Sequence, residues 1–151
     1  MSAVVVTAEL PAPPERVWSV VMDPTQFERW VTIHKELVSA DSGPPRVGFR
    51  MAQRYVIRGA PVKVKWVLEE LTPPRHAHWE GKGPAGAKAH IEYHLEPNGD
   101  GTTFHYRNEF IPPMGPLGAV ASKALMGGVP EREAHASLDR LKALLAAENH
   151  R

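Results

Sequence analysis

The side chains in this sequence best placed to do chemistry are polar groups that recur among aromatic and branched apolar residues at every second position. Gln53 and Tyr55 follow Phe49 and Met51; Tyr93 sits between Ile91 and Leu95; Tyr106 and Asn108 sit between Phe104 and Phe110. Trp66 and Trp79 hold the same phase in the runs Val62-Val64-Trp66-Leu68 and Ala77-Trp79. A buried polar group without a partner costs about 1–3 kcal/mol, so each of these must find an internal bond, a water or a ligand. Apolar walls carrying a few aimed polar groups are the general plan of a small-molecule site. Gln53, Tyr55, Trp66, Trp79, Tyr93, Tyr106, Asn108 and Phe110 are therefore the expected ligand contacts on the strands. The competing reading is that they satisfy one another and simply fill the interior.

Catalysis has weaker candidates. Glu131, Tyr106 and Asn108 are the side chains able to move a proton inside such a pocket. Glu131 falls on the inward stripe of a C-terminal helix, where burial would raise its pKa and make it a general base or an anchor for a ligand hydroxyl. A kink at Pro130 would instead turn it to solvent, as a helix N-terminal charge favoured by the dipole. His76, His94 and His105 align across three strands if the hairpins pair as below, a spacing that suits zinc. They fall on the solvent face, however, without a closed ligand set, and no metal is expected. The string Gly81-Lys82-Gly83-Pro84-Ala85-Gly86 matches GxGxxG, but it contains a proline and precedes strand residues rather than opening a helix. It reads as a hairpin loop. Ser19, Ser122 and Ser137 lie in helical segments without a nucleophile elbow, and no cofactor is implied.

The elements that must position these groups follow from periodicity. Ser2 to Leu10 reads as a strand, and Pro13-Pro14 and then Asp23-Pro24 open two short helices whose apolar sides carry Val17, Trp18, Val21, Phe27 and Trp30. From Lys35 to Pro112 the period is two, broken by turns at Arg58–Pro61, Thr72–Pro74, Gly81–Gly86 and Asn98–Gly101. This predicts antiparallel strands with one face buried and one in water. Closing the Asn98–Gly101 loop with Pro97 and Thr102 sets Glu92 opposite Arg107 and Tyr93 opposite Tyr106, a register both pairs favour. It also sets His94 opposite His105. Pairing Trp79 with Ile91 then adds His76.

After Pro112 the period becomes 3.6, with Leu117, Val120, Ala124, Gly127, Glu131, Ala134, Leu138, Leu141 and Leu145 on one face and an interruption expected at Gly127-Gly128 and Pro130. A one-sided sheet and a one-sided helix must bury their faces against each other. Where the stripe is small (Ala124, Gly127), the two cannot touch everywhere. A cavity follows, with Leu117, Val120, Ala124 and Gly127 on its helical wall.

Composition narrows the partners. The 151 residues suit one domain, 1–151, with 42% hydrophobic and 23% charged content. The 18 basic and 17 acidic residues are interspersed, so no nucleic-acid face is expected. Cysteine is absent, which excludes disulfides and thiol catalysis. No run approaches the roughly 20 apolar residues of a membrane span, nor does the start have a signal-peptide form, and a cytoplasmic location is expected. Nothing in the sequence specifies an oligomeric state.

The order of strand, two short helices, six strands and long helix resembles the START-like helix-grip superfamily (SRPBCC), nearest its polyketide cyclase/dehydrase and lipid-transport branch. The resemblance rests on Ala12-Pro13-Pro14-Glu15-Arg16-Val17-Trp18 leading to Asp23 and Trp30, on Leu71-Thr72-Pro73-Pro74, on Tyr106 to Pro112 with Met114-Gly115-Pro116-Leu117-Gly118, and on Ser137 to Lys142. It implies an α+β fold, a curved seven-stranded antiparallel sheet wrapped around a long C-terminal helix, with a ligand cavity between them. Three functions follow as expectations. The first is binding of a small hydrophobic molecule such as a lipid, fatty acid or aromatic polyketide. The second is a cyclase/dehydrase-type enzyme. The third is an interaction protein such as a toxin–antitoxin component.

Overall fold

A computed structural model describes residues 2–57, 59–112 and 129–149. Strand β1 (Ser2–Leu10) leads into helix α1 (Pro14–Val21), a 3-10 turn (Pro24–Gln26) and helix α2 (Phe27–Trp30). Strands β2 (His34–Ala40), β3 (Arg50–Ile57), β4 (Ala60–Thr72), β5 (His76–Lys82), β6 (Lys88–Asn98) and β7 (Gly101–Ile111) follow, and helix α3 (Val129–Asn149) ends the chain. Leu117, Val120, Ala124, Gly127 and Gly128 lie outside the described residues.

Local chemistry accounts for the starts and stops. Pro14 opens α1, where a missing N–H costs nothing. Asp23 caps the following turn by accepting from the Thr25 backbone N–H at 3.0 Å. Pro130 lies in the first described turn of α3.

The seven strands form one antiparallel sheet in the order β1-β7-β6-β5-β4-β3-β2. The β6–β7 register is the expected one: Glu92 opposite Arg107, Tyr93 opposite Tyr106, His94 opposite His105. Trp79 pairs with Ile91 and His76 with His94 between β5 and β6. Register shifts at His34/Glu36 and Leu37/Ser39 in β2, and at Leu68/Glu70 in β4, insert extra residues that bend and twist the sheet.

One side of the sheet carries Tyr55, Trp66, Leu68, Trp79, Tyr93, Leu95, Phe104 and Tyr106 into the core. Helices α1 and α2 contribute Val17, Val20, Val21, Phe27 and Trp30, and α3 contributes Ala134, Leu138, Leu141 and Leu145. Trp18, expected on the buried side of α1, is half-buried, and Val20 takes the inner position. Trp30, fully buried, joins helices to sheet through ring contacts with Tyr93 at 6.2 Å and Tyr106 at 6.5 Å. Helix α3 packs mainly on β1 and α2. Arg16 of α1 also donates to Glu148 (Nε–Oε2 2.9 Å), tying α1 to the last turns of α3.

Gly81 on β5 is needed for space. It lies opposite Trp66, and a Cβ built on it would meet the Trp66 ring and a Val64 methyl at 2.7 Å. Gly81→Ala is therefore expected to displace Trp66 and destabilise the fold by about 1–3 kcal/mol, read as a lower urea midpoint at unchanged slope.

Candidate functional site

A cavity of about 290 Å³ opens between the concave face of the sheet, α2 and the start of α3. The inner residues of β3 to β7 form most of its wall, among them Gln53, Tyr55, Trp66, Trp79, Tyr93, Tyr106, Asn108 and Phe110. Alternation explains why these eight meet: they stand in the inward phase of adjacent antiparallel strands. Phe27, Trp30, Val31 and Ile33 close one side from the α2 region. The Gly83–Ala87 loop, which carries most of the GxGxxG string, forms part of the rim. It is a hairpin connection with a 3-10 turn at Pro84–Gly86 and opens no helix that could meet a phosphate.

The polar groups divide into two sets. The first is a closed relay within the wall. The Trp66 indole N–H donates to the Tyr55 hydroxyl at 3.1 Å, Tyr55 donates to Gln53 Oε1 at 2.7 Å, and Gln53 Nε2 meets His34 Nδ1 at 2.8 Å. Donor and acceptor roles require His34 Nδ1 to be bare, so the ring is neutral. Desolvation, partly opposed by Glu28, lowers the His34 pKa in the same sense. His34 thus stands behind Gln53 rather than on the cavity lining. Burial pushes the Tyr55, Tyr93 and Tyr106 hydroxyls well above the ordinary phenol value, so all three present neutral O–H groups.

The second set centres on α3, where the sequence left Glu131 open between the pocket and solvent. Glu131 is exposed, and Glu133 is the carboxylate that lines the cavity, with Ser137 one turn later. Of the predicted stripe, Ala134, Leu138, Leu141 and Leu145 are buried, and at about 100° per residue Glu131 and Glu133 lie on opposite flanks of these four. Ser137 accepts from the Thr32 backbone N–H at 3.1 Å, which turns its own flank, and Glu133 with it, toward α2 and the hollow. The signal available in the sequence was the spacing Glu133, Ser137, Leu144, a mixed flank beside the leucine stripe. Burial raises the Glu133 carboxyl above its usual value, the nearby Arg132 charge opposing, and the Glu133 charge in turn contributes to the rise at Tyr106. One Glu133 oxygen, Oε2, is sealed without a hydrogen-bond partner, as are the indole nitrogens of Trp30 and Trp79.

The histidine row on the outer face forms as the register requires, with ring centroids 6.3 Å apart for His76–His94 and 5.8 Å for His94–His105. Among the described residues no three His, Asp or Glu side chains converge closely enough to hold a metal ion. No described helix is long and apolar enough to cross a membrane.

The chain matches the family model described as polyketide cyclase / dehydrase and lipid transport over residues 1–146. A Mycobacterium tuberculosis protein named Toxin Rv0910 is 26% identical over 125 residues, covering 82% of this chain and 87% of the relative. The crystal structure of TTHA0849 from Thermus thermophilus superposes with a TM-score of 0.78 at 19% identity, covering 97% of this chain and 99% of that one. DynU16, a protein of the dynemicin biosynthetic locus, superposes with a TM-score of 0.64 at 18% identity over 97% of this chain and 48% of its own.

Two outcomes follow from the polar groups. Tyr55→Phe leaves Gln53 Oε1 and Trp66 Nε1 unpaired and is expected to cost about 1–3 kcal/mol in urea unfolding. Because folding raises the Glu133 pKa, the folded state holds that proton more tightly than the unfolded one. The contribution of Glu133 to stability is therefore full below the ordinary value near 4.5 and declines as pH rises through the raised one. Glu133→Gln removes that decline: its urea midpoint should gain on the wild type between pH 4 and pH 7.

Proposed function

The chain belongs to the polyketide cyclase/dehydrase and lipid transport family, and from that premise we propose that it binds a small hydrophobic molecule, a lipid, fatty acid or aromatic polyketide, between sheet and helices. The observation that carries this reading is the cavity itself: about 290 Å³ of space walled by Trp, Tyr, Phe and Ile side chains. Well-packed interiors hold few voids larger than a water molecule, so a hollow of this size beside large aromatic side chains calls for an occupant. The self-satisfied relay through Tyr55 and Gln53 stiffens one wall, which lowers the ordering cost of binding.

A second reading, proton transfer on the bound molecule, is favoured by the half-buried Glu133, which lines the same cavity as the Tyr106 hydroxyl, since a carboxyl of raised pKa suits a general base. Turnover that falls by orders of magnitude in Glu133→Gln while binding persists would select it. A third reading, an interaction protein such as a toxin component, takes up the name of the mycobacterial relative, Toxin Rv0910. Growth inhibition on expression that survives blocking of the cavity would favour it.

The binding reading is tested with N-phenyl-1-naphthylamine, a neutral apolar fluorophore, together with mass spectrometry of the protein purified natively. Trp30, Trp66 and Trp79 lie in the wall, so occupancy should quench tryptophan emission. Ala89→Phe fills the cavity from β6 and is expected to weaken the probe about tenfold or more with the thermal midpoint little changed. An absent signal, or equal affinity in Ala89→Phe, would overturn the proposal.

A further inference from the structure

We infer that the ligand meets Glu133 with a hydrogen-bond donor, a phenolic or alcoholic O–H or an amine N–H, and carries no carboxylate at that end. The inference rests on the cavity-binding reading above and concerns the chemistry of its occupant.

Among the described residues, three polar atoms of the cavity wall are sealed and unpaired: Glu133 Oε2 and the indole nitrogens of Trp30 and Trp79. The indoles each lack an acceptor, a deficit of neutral groups. Glu133 lacks a donor, and an unsatisfied ionisable group is the costlier of the two kinds. The relay partners are unavailable to it, because Tyr55, Gln53 and Trp66 already bond one another. Ser137 is engaged with the Thr32 backbone N–H. A carboxylate turns easily about its last bond, so either oxygen can be presented to the hollow that Glu133 lines.

Charge decides the second half of the inference. Among the described residues, Glu133 and Lys88 are the charged side chains on the lining, and Lys88 is exposed at the rim where water screens it. A ligand carboxylate placed at Glu133 would put two negative charges in one poorly solvated space, and one of them would have to take up a proton. A neutral hydroxyl or an amine meets no such opposition, and the donated hydrogen bond is charge-assisted.

The test uses three molecules of one shape, 2-naphthol, 2-methylnaphthalene and 2-naphthoate, titrated calorimetrically at pH 7 into wild type, Glu133→Gln and Glu133→Leu. Wild type should bind 2-naphthol about tenfold tighter than either of the others. Glu133→Gln keeps an acceptor and loses the charge, so it should retain preference for 2-naphthol over 2-methylnaphthalene while 2-naphthoate gains affinity. Glu133→Leu should bind 2-naphthol and 2-methylnaphthalene alike. Binding of 2-methylnaphthalene or 2-naphthoate as tightly as 2-naphthol in wild type, or an unchanged order in Glu133→Leu, overturns the donor requirement and leaves the cavity reading standing. Failure of all three to bind overturns the cavity reading and this inference with it.

Discussion

Among the described residues, a seven-stranded sheet is broader than the long helix packed across it, and the cavity follows from that mismatch. Helix α3 lies mainly along β1 and α2, where Ala134, Leu138, Leu141 and Leu145 are buried. The inner faces of β3 to β6 extend beyond that seam and carry large aromatic side chains. Trp30 bridges the gap from the α2 side by meeting Tyr93 and Tyr106. What is left between these contacts is the hollow, and its walls are apolar because they are the same strand faces that build the core.

The hollow keeps its shape because its wall is held by bonds that side chains of the wrong length could not make. Gly81 leaves the space in which the Trp66 ring lies. The ring's N–H then starts the chain of hydrogen bonds through Tyr55 and Gln53 to His34. Within this relay each member has its partner. The opposite situation holds at the start of α3, where Glu133 has an oxygen without a partner. The cavity is therefore two-sided: the sheet supplies mostly apolar surface of fixed form, and among the described residues of the helix Glu133 supplies a carboxylate with an unpaired oxygen.

Much of this was legible in the amino-acid order. Period-two alternation assigned Tyr93 and Tyr106 to the inner face and His94 and His105 to the outer, and the Asn98–Gly101 turn placed each opposite its partner, as the structure has them. The eight strand residues expected around a ligand all line the cavity. A residue in a strand has two faces to choose from, and neighbouring apolar residues make the choice. The contributions of Ile33 and the Gly83–Ala87 loop were not legible, because loops and short turns carry no period, whereas Phe27 was legible as the buried side of a short helix.

The helix is where sequence alone stopped. Its stripe named the buried leucines, yet a stripe has two flanks, and sequence spacing treats them as equals. Glu131 and Glu133 stand on either side of the same seam; only the docking of α3 against α2, held by the Ser137 bond to the Thr32 backbone, turned one to water and the other to the hollow. Strand faces are set locally by neighbours two residues apart, and so the order of residues determined the sheet. The rotation of a helix about its axis is set by distant packing partners, here more than a hundred residues away in sequence, and so only the assembled structure could decide which carboxylate lines the cavity.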